Sequence, residues 1–169
     1  MSPSAGIITV RSPDLEKVLD DISRWDRNAV GRLLEQRIRK ALKRVQLRAR
    51  SKYLSGPPSR TRLGWITGEL RQSVGRVFRI RRRGPVIEGE MGTSGTPHAA
   101  IHEYGGIIRP RRAEYLKFRT RGGQWVTTRR VRMPARPYLS RALEDELPSI
   151  EMQLGGALDR IARSIAKRT

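Results

Sequence analysis

The residues whose types and spacing come nearest to chemistry are His98 and His102, four apart and followed at once by Glu103. On a helix this spacing puts both imidazoles on one face, an arrangement that zinc sites use. The glutamate, however, lies outside the pair rather than within a His-Glu-x-x-His, and the chain has only 2 histidines and no cysteine to complete a ligand set. A packed or hydrogen-bonding histidine pair is the plainer reading, and a zinc-dependent hydrolase would need stoichiometric metal. Gly92-Thr-Ser-Gly-Thr-Pro97 could cradle a phosphate but lacks the Gly-Lys-Ser/Thr ending of a P-loop, so it reads as a flexible loop. Glu144, Asp145 and Glu146 fall in the first turns of a predicted helix, where negative charge favours the macrodipole. Nothing assembles a nucleophile, a base and an oxyanion site. The chain reads as a non-enzyme that needs no metal or cofactor.

Charge is the stronger signal. The 169 residues carry 36 Lys+Arg against 16 Asp+Glu, a formal net charge of +20, and the pI is about 11.6. Such a chain meets polyanions or acidic protein faces. The basic residues concentrate between Arg109 and Arg136: Arg109, Arg111, Arg112, Lys117, Arg119, Arg121, Arg129, Arg130, Arg132 and Arg136, against Glu114 alone. Tyr115, Phe118 and Trp125 are interleaved, so the segment is either a nucleic-acid platform or a surface whose aromatics face the core or a neighbouring subunit. No apolar run is long enough to span a membrane, and no basic n-region precedes the short apolar patch at the start, as a secretory signal would have. Synthesis in the cytoplasm fits the absence of cysteine.

The elements that must position these residues follow from periodicity. Residues 1–25 read as a loose arm or short strand around Ile8 and Val10, then a short helix carrying Leu15, Val18, Leu19 and Ile22. Residues 26–169 read as one domain. A helix over 26–54 is predicted by Val30, Leu33, Leu34, Ile38, Ala41, Leu42, Val45, Ala49 and Tyr53, a stripe at i, i+3/i+4 spacing that suits packing on a sheet better than a coiled coil. A basic loop follows to residue 67. Strands are predicted over 74–83 and 86–91, turning at Gly84-Pro85, with Val74, Arg76, Phe78 and Ile80 on one face. His98–Tyr104 is a short helix closed by Gly105-Gly106. A second hairpin turns at Arg121-Gly122-Gly123-Gln124, with Leu116 and Phe118 on one strand and Trp125 to Met133 alternating on the return. Pro134-Ala135-Arg136-Pro137 breaks the sheet before a last helix over 138–166, which Pro148 should kink or restart. The expected fold is α+β: an antiparallel sheet of two hairpins packed against a long helix in the N-terminal half and a long C-terminal helix.

Three segments in order resemble a known family. Thr67-Gly68-Glu69-Leu70-Arg71-Gln72-Ser73 is similar to the Thr-Gly-x-Leu-x-x-Ser segment of tail-completion, or neck, proteins of tailed bacteriophages. Ala99-Ala100-Ile101-His102-Glu103-Tyr104-Gly105-Gly106 is similar to their Tyr-Ala-x-x-His-Glu-Phe/Tyr-Gly segment, with His98-Ala99 in place of Tyr-Ala. Met133-Pro134-Ala135-Arg136-Pro137-Tyr138-Leu139 is similar to the Pro-Ala-Arg-Pro-Phe-Leu segment that leads into the closing helix. The likeness covers roughly residues 30–165. The long basic insert between Gly106 and Pro134 is more like the related virion-morphogenesis branch.

The resemblance implies a structural protein of the virion at the head–tail interface. Such proteins complete the tail or join it to the head connector, as a homo-hexameric ring around the DNA channel. Implied partners are further copies of the chain, connector or stopper proteins, tail-tube proteins, and genomic DNA passing without sequence recognition. The motif residues (Thr67, Gly68, Leu70, Ser73, His102, Glu103, Tyr104, Gly105, Gly106, Pro134, Ala135, Arg136, Pro137 and Leu139) would then serve assembly. His102 and Glu103 are expected to hydrogen-bond backbone at the short helix, and Arg136 to reach a carboxylate. Arg109, Arg111, Arg112, Arg119, Arg121, Arg129, Arg130 and Arg132 would contact DNA or partners. The alternative is a free nucleic-acid-binding protein that uses the arginine-rich hairpins.

Overall fold

The computed structural model describes residues 8–11, 24–59, 62–63, 68–83, 86–120 and 122–166. The predicted short helix before residue 24, the Gly84-Pro85 turn, Thr67 and Arg121 lie outside them. In chain order the elements are strand β1 (Ile8–Arg11), helix α1 (Arg24–Arg48) with a π-helical turn over Ala49–Tyr53, helix α2 (Glu69–Ser73), strands β2 (Val77–Arg83) and β3 (Val86–Gly92), helix α3 (Ala99–Tyr104), strands β4 (Gly106–Ile108), β5 (Leu116–Arg119), β6 (Trp125–Thr128) and β7 (Val131–Met133), and helix α4 (Leu139–Ala166). The class is α+β, with two long helices and small antiparallel sheets.

The strands divide into three hydrogen-bonded groups: β1-β3-β2, β4-β7 and β5-β6. In the first, Ile8 stands opposite Met91, and Phe78 stands opposite Met91 from the other side. Ile87, Gly89 and Met91 alternate inward on β3 towards α1, while Glu88 and Glu90 face outward. The apolar stripe of α1 supplies the matching surface: Leu34, Ile38, Leu42, Val45 and Ala49 are all buried. Each fully buried leucine or isoleucine there contributes about 2 kcal/mol over its exposed state. Gly89 is fixed by this contact, because a Cβ on it would lie 2.5 Å from Ile38 Cγ2 and 2.9 Å from Leu42 Cδ1. Helix α4 lies along α1 and closes the core with Tyr138, Leu139, Ala142, Ile150 and Ile161.

Three local features differ from expectation. Residues 69–73, between the predicted loop and the predicted strand, form α2, and β2 begins at Val77, so Val74 and Arg76 belong to the turn and not to the strand face. The C-terminal end of α2 is held by α1: Gln46 donates to the Val74 carbonyl at 2.8 Å, and Arg50 donates to the same oxygen at 2.6 Å. Such long-range capping satisfies carbonyls that a one-turn helix leaves open. The strand predicted from Trp125 to Met133 breaks at Arg129-Arg130, where the chain leaves β5 and pairs with β4 instead. Helix α4 does not restart at Pro148. Pro148 and Glu144 are both exposed, so the carbonyl that loses its amide partner faces water.

Candidate functional site: the Glu103 anchor and the basic arm

Two of the resembling segments meet in space. Helix α3 is too short to be stable by itself, but it presents Glu103 to the start of α4. The Glu103 carboxylate, 3% exposed, accepts the amides of Tyr138 and Leu139 on Oε2 at 2.9 and 3.0 Å. Its Oε1 accepts the amide of Ser140 at 2.9 Å and the Ser140 hydroxyl. A buried negative charge thus satisfies the free amides of a helix N-terminus and complements its dipole. Pro137, which has no amide to satisfy, precedes this set. The His102 carbonyl accepts the Arg136 amide at 2.7 Å, which ties the two segments a second time. The close approach needs Gly105: its φ is +71°, and a Cβ there would lie 2.8 Å from the Ala135 nitrogen.

The expected backbone hydrogen bonding by Glu103 therefore exists, but its target is the last helix and not the short one. The expected carboxylate partner of Arg136 is not found: among the described residues its side chain makes no ion pair. His98 and His102 meet edge to face with ring centroids 5.7 Å apart. Burial, then the neighbouring His98 and Arg136, lower the pKa of His102. Among the described residues no group of three or more His, Cys, Asp or Glu could hold a metal ion. The first motif segment stands apart, with the Ser73 hydroxyl donating to the Leu70 carbonyl at 2.8 Å and Gly68 preceding α2 at φ +75°.

Asp145 and Glu146 do more than oppose a helix dipole. Glu146 is buried and accepts from Arg44 and from Arg48 Nε, the latter at 2.8 Å, while Arg44 also donates to the Ser149 hydroxyl at 2.7 Å. Asp145 accepts from Lys52 Nζ at 2.8 Å and from the Tyr53 hydroxyl at 2.9 Å. These contacts bind α4 to α1. Basic residues of the α1 stripe's flank and adjacent acids in the last helix are the sequence signal for them, but the pairing across about a hundred residues is not readable locally.

From Gly106 to Met133 the chain forms a basic arm. Its two ladders, β4-β7 and β5-β6, pack chiefly on themselves. Thr120 donates to Gln124 at 2.8 Å at the tip, where Gly123 has φ +85°. Ile107, Tyr115, Phe118 and Trp125 are exposed, Trp125 at 65%. Lys117 lies 5.4 Å over the Trp125 ring and Arg129 lies 5.3 Å over Tyr115. Arg129 also pairs with Glu114 at 2.9 Å, and Arg119 donates to the Gly123 carbonyl at 2.8 Å. The side chains of Arg109, Arg111, Arg112, Arg130 and Arg132 make no hydrogen bond or ion pair among the described residues. No described helix is long and apolar enough to cross a membrane. No family model, curated protein or solved structure matches the chain.

Proposed function

We propose that the chain is a structural virion protein that completes the tail or joins it to the head connector, as one subunit of a ring around the DNA channel. The observation that carries this reading is the basic arm: exposed Ile107, Phe118 and Trp125 sit among guanidinium groups without ion pairs among the described residues, on an extension that the other described elements leave largely uncovered. Exposed aromatic and apolar side chains ringed by arginine suit a protein interface. The Glu103 anchor, which joins two of the family-like segments, supports the resemblance from which the reading starts. Connector and tail-tube proteins are the proposed outer partners, and DNA is a neighbour rather than a specific ligand.

The test is genetic and structural. Particles made without the chain should accumulate filled heads and separate tails, and adding the purified protein should restore joining. Normal joining without it would overturn the reading. The second reading, a free nucleic-acid-binding protein, is favoured by the five arginines of the arm that make no hydrogen bond or ion pair among the described residues. It requires tight binding to bare DNA or RNA with a steep salt slope, lost in the triple variant Arg129→Ala, Arg130→Ala and Arg132→Ala.

A further inference from the structure

The outer face of α4, turned away from the core, carries Glu144, Glu151 and Asp159 at seven- and eight-residue spacing, with Leu147 and Met152 beside them. At 1.5 Å per residue this stripe is about 22 Å long. The three carboxylates are exposed and make no ion pair among the described residues, although the chain holds 36 basic residues and the adjacent Asp145 and Glu146 are both paired. Met152 is 71% exposed, and Gly155 below it has nothing within 4 Å of where a Cβ would lie.

The complementary surface lies on the same chain but elsewhere. At the root of the basic arm opens a cavity of about 520 Å³, with Ile101 and His98 on the α3 side and Ile107, Ile108, Arg109 and Arg111 on the arm side. Its lining joins apolar side chains, Ile101, Ile107 and Ile108, to the cationic Arg109 and Arg111. We infer that this cleft receives the outer face of α4 from a second copy of the chain, with Met152 and Leu147 meeting the isoleucines and Glu151 and Glu144 meeting Arg109 and Arg111. Charge selects the occupant, because the stripe is acidic where the cleft is basic. The apolar part of the lining favours side chains over a phosphate backbone. Because the two halves sit on different elements, the contact is heterologous and repeats from copy to copy, closing into a ring where the rotation permits. The inference deepens the ring reading above and rests on it for the identity of the occupant.

The chain contains no cysteine, so engineered thiols report on this contact alone. Full-length protein carrying both Met152→Cys and Ile108→Cys should give, on mild oxidation, a ladder of disulfide-linked species beyond the dimer. An equal mixture of the two single variants should stop at a mixed disulfide-linked dimer, and each single variant should remain uncross-linked. Adding Glu151→Arg should lower cross-linking at least tenfold, and Arg109→Glu should restore it in that background. No ladder in the double variant would overturn the inference. Efficient dimers of either single variant would also overturn it, since they report a two-fold contact. A ladder abolished by a short oligonucleotide would assign the cleft to nucleic acid instead. The outcome is separable from the particle test: a ladder together with normal head–tail joining in the chain's absence keeps the interface and removes the virion role.

Discussion

The carboxylate of Glu103 accepts the backbone amide of Tyr138, 35 residues away in sequence, at 2.9 Å, and so links the middle of the chain to the start of its last helix. Removing the carboxylate strands three buried or part-buried amides at once. Charge-assisted hydrogen bonds to backbone contribute about 1.5–3 kcal/mol each, but they act here as a unit. Glu103→Ala should therefore cost about 3–4 kcal/mol of stability and Glu103→Gln, which keeps one acceptor oxygen, about 1–2 kcal/mol. Urea denaturation checks this, and equal midpoints for wild type and Glu103→Ala would contradict it.

Gly89 and Gly105 are tight for different reasons. Gly89→Ala would push a methyl group into the buried side chains of Ile38 and Leu42, an overpacking that costs about 1–3 kcal/mol. Removing the obstructing branch, as in Gly89→Ala with Ile38→Leu, which has no Cγ2 methyl, should recover part of the loss. Gly105→Ala should cost more and should not be rescued this way, because the obstacle is the Ala135 backbone and φ is left-handed. Thermal melts of the four proteins distinguish the two cases.

Acid should weaken the joint between α1 and α4. Burial pushes the Glu146 carboxyl up, but the hydrogen bonds from Arg48 and Arg44 outweigh it and hold the group below its ordinary range. The hydrogen bond from Lys52 holds Asp145 low. Carboxyl groups depressed in the folded chain stabilise it fully above their unfolded values, about 4, and lose that stabilisation as the pH falls through the folded ones. The melting temperature should drop below about pH 4, and Glu146→Gln should flatten the drop while lowering the plateau. An unchanged slope in Glu146→Gln would contradict the assignment.

His102 adds a second step nearer neutrality. Its pKa is lowered by burial and by His98 and Arg136, so the folded chain resists a proton that the unfolded chain takes up near pH 6.5. The stabilisation is whole above about pH 6.5 and declines as the pH falls towards the folded value. His102→Gln should remove this step and leave the lower one, which a melting-temperature profile from pH 8 to 3 would resolve.

The arm should be dispensable for folding. Trp125→Ser should change stability by less than about 0.5 kcal/mol, since the ring is mostly exposed and lies under Lys117 on the arm itself. The same variant should impair assembly with partner proteins. A large loss of stability in Trp125→Ser would show that the arm belongs to the core.

The long helices were legible because their apolar residues repeat at helical spacing: Leu34, Ile38, Leu42 and Val45 are buried as their positions predict, and so are Leu139, Ala142, Ile150 and Ile161, whereas Leu147 in the same expected stripe is exposed. The Gly122-Gly123 tip and the breaks at Gly105 and Pro134 were legible from backbone chemistry alone. Partnerships distant in sequence were not. Glu103 looks like a neighbour of His102 until α4 is brought to it, and Glu146 looks like a dipole residue until Arg44 and Arg48 lie alongside. The split of the strands into separate ladders was hidden because Trp125 to Met133 alternate without a break in type, whereas the change of partner at Arg129-Arg130 depends on what β4 offers.

The basic arm is attached to the body at Gly106 and Met133, opposite each other in the β4-β7 ladder. Immediately beyond these points lie the Arg136–His102 hydrogen bond and the Glu103 carboxylate. A pull on the arm from outside is therefore delivered through both strands together to the first turn of the longest helix. That helix is bolted to α1 in its second turn by Asp145 and Glu146, so traction at the arm passes to the α1–α4 pair and not to a single loop.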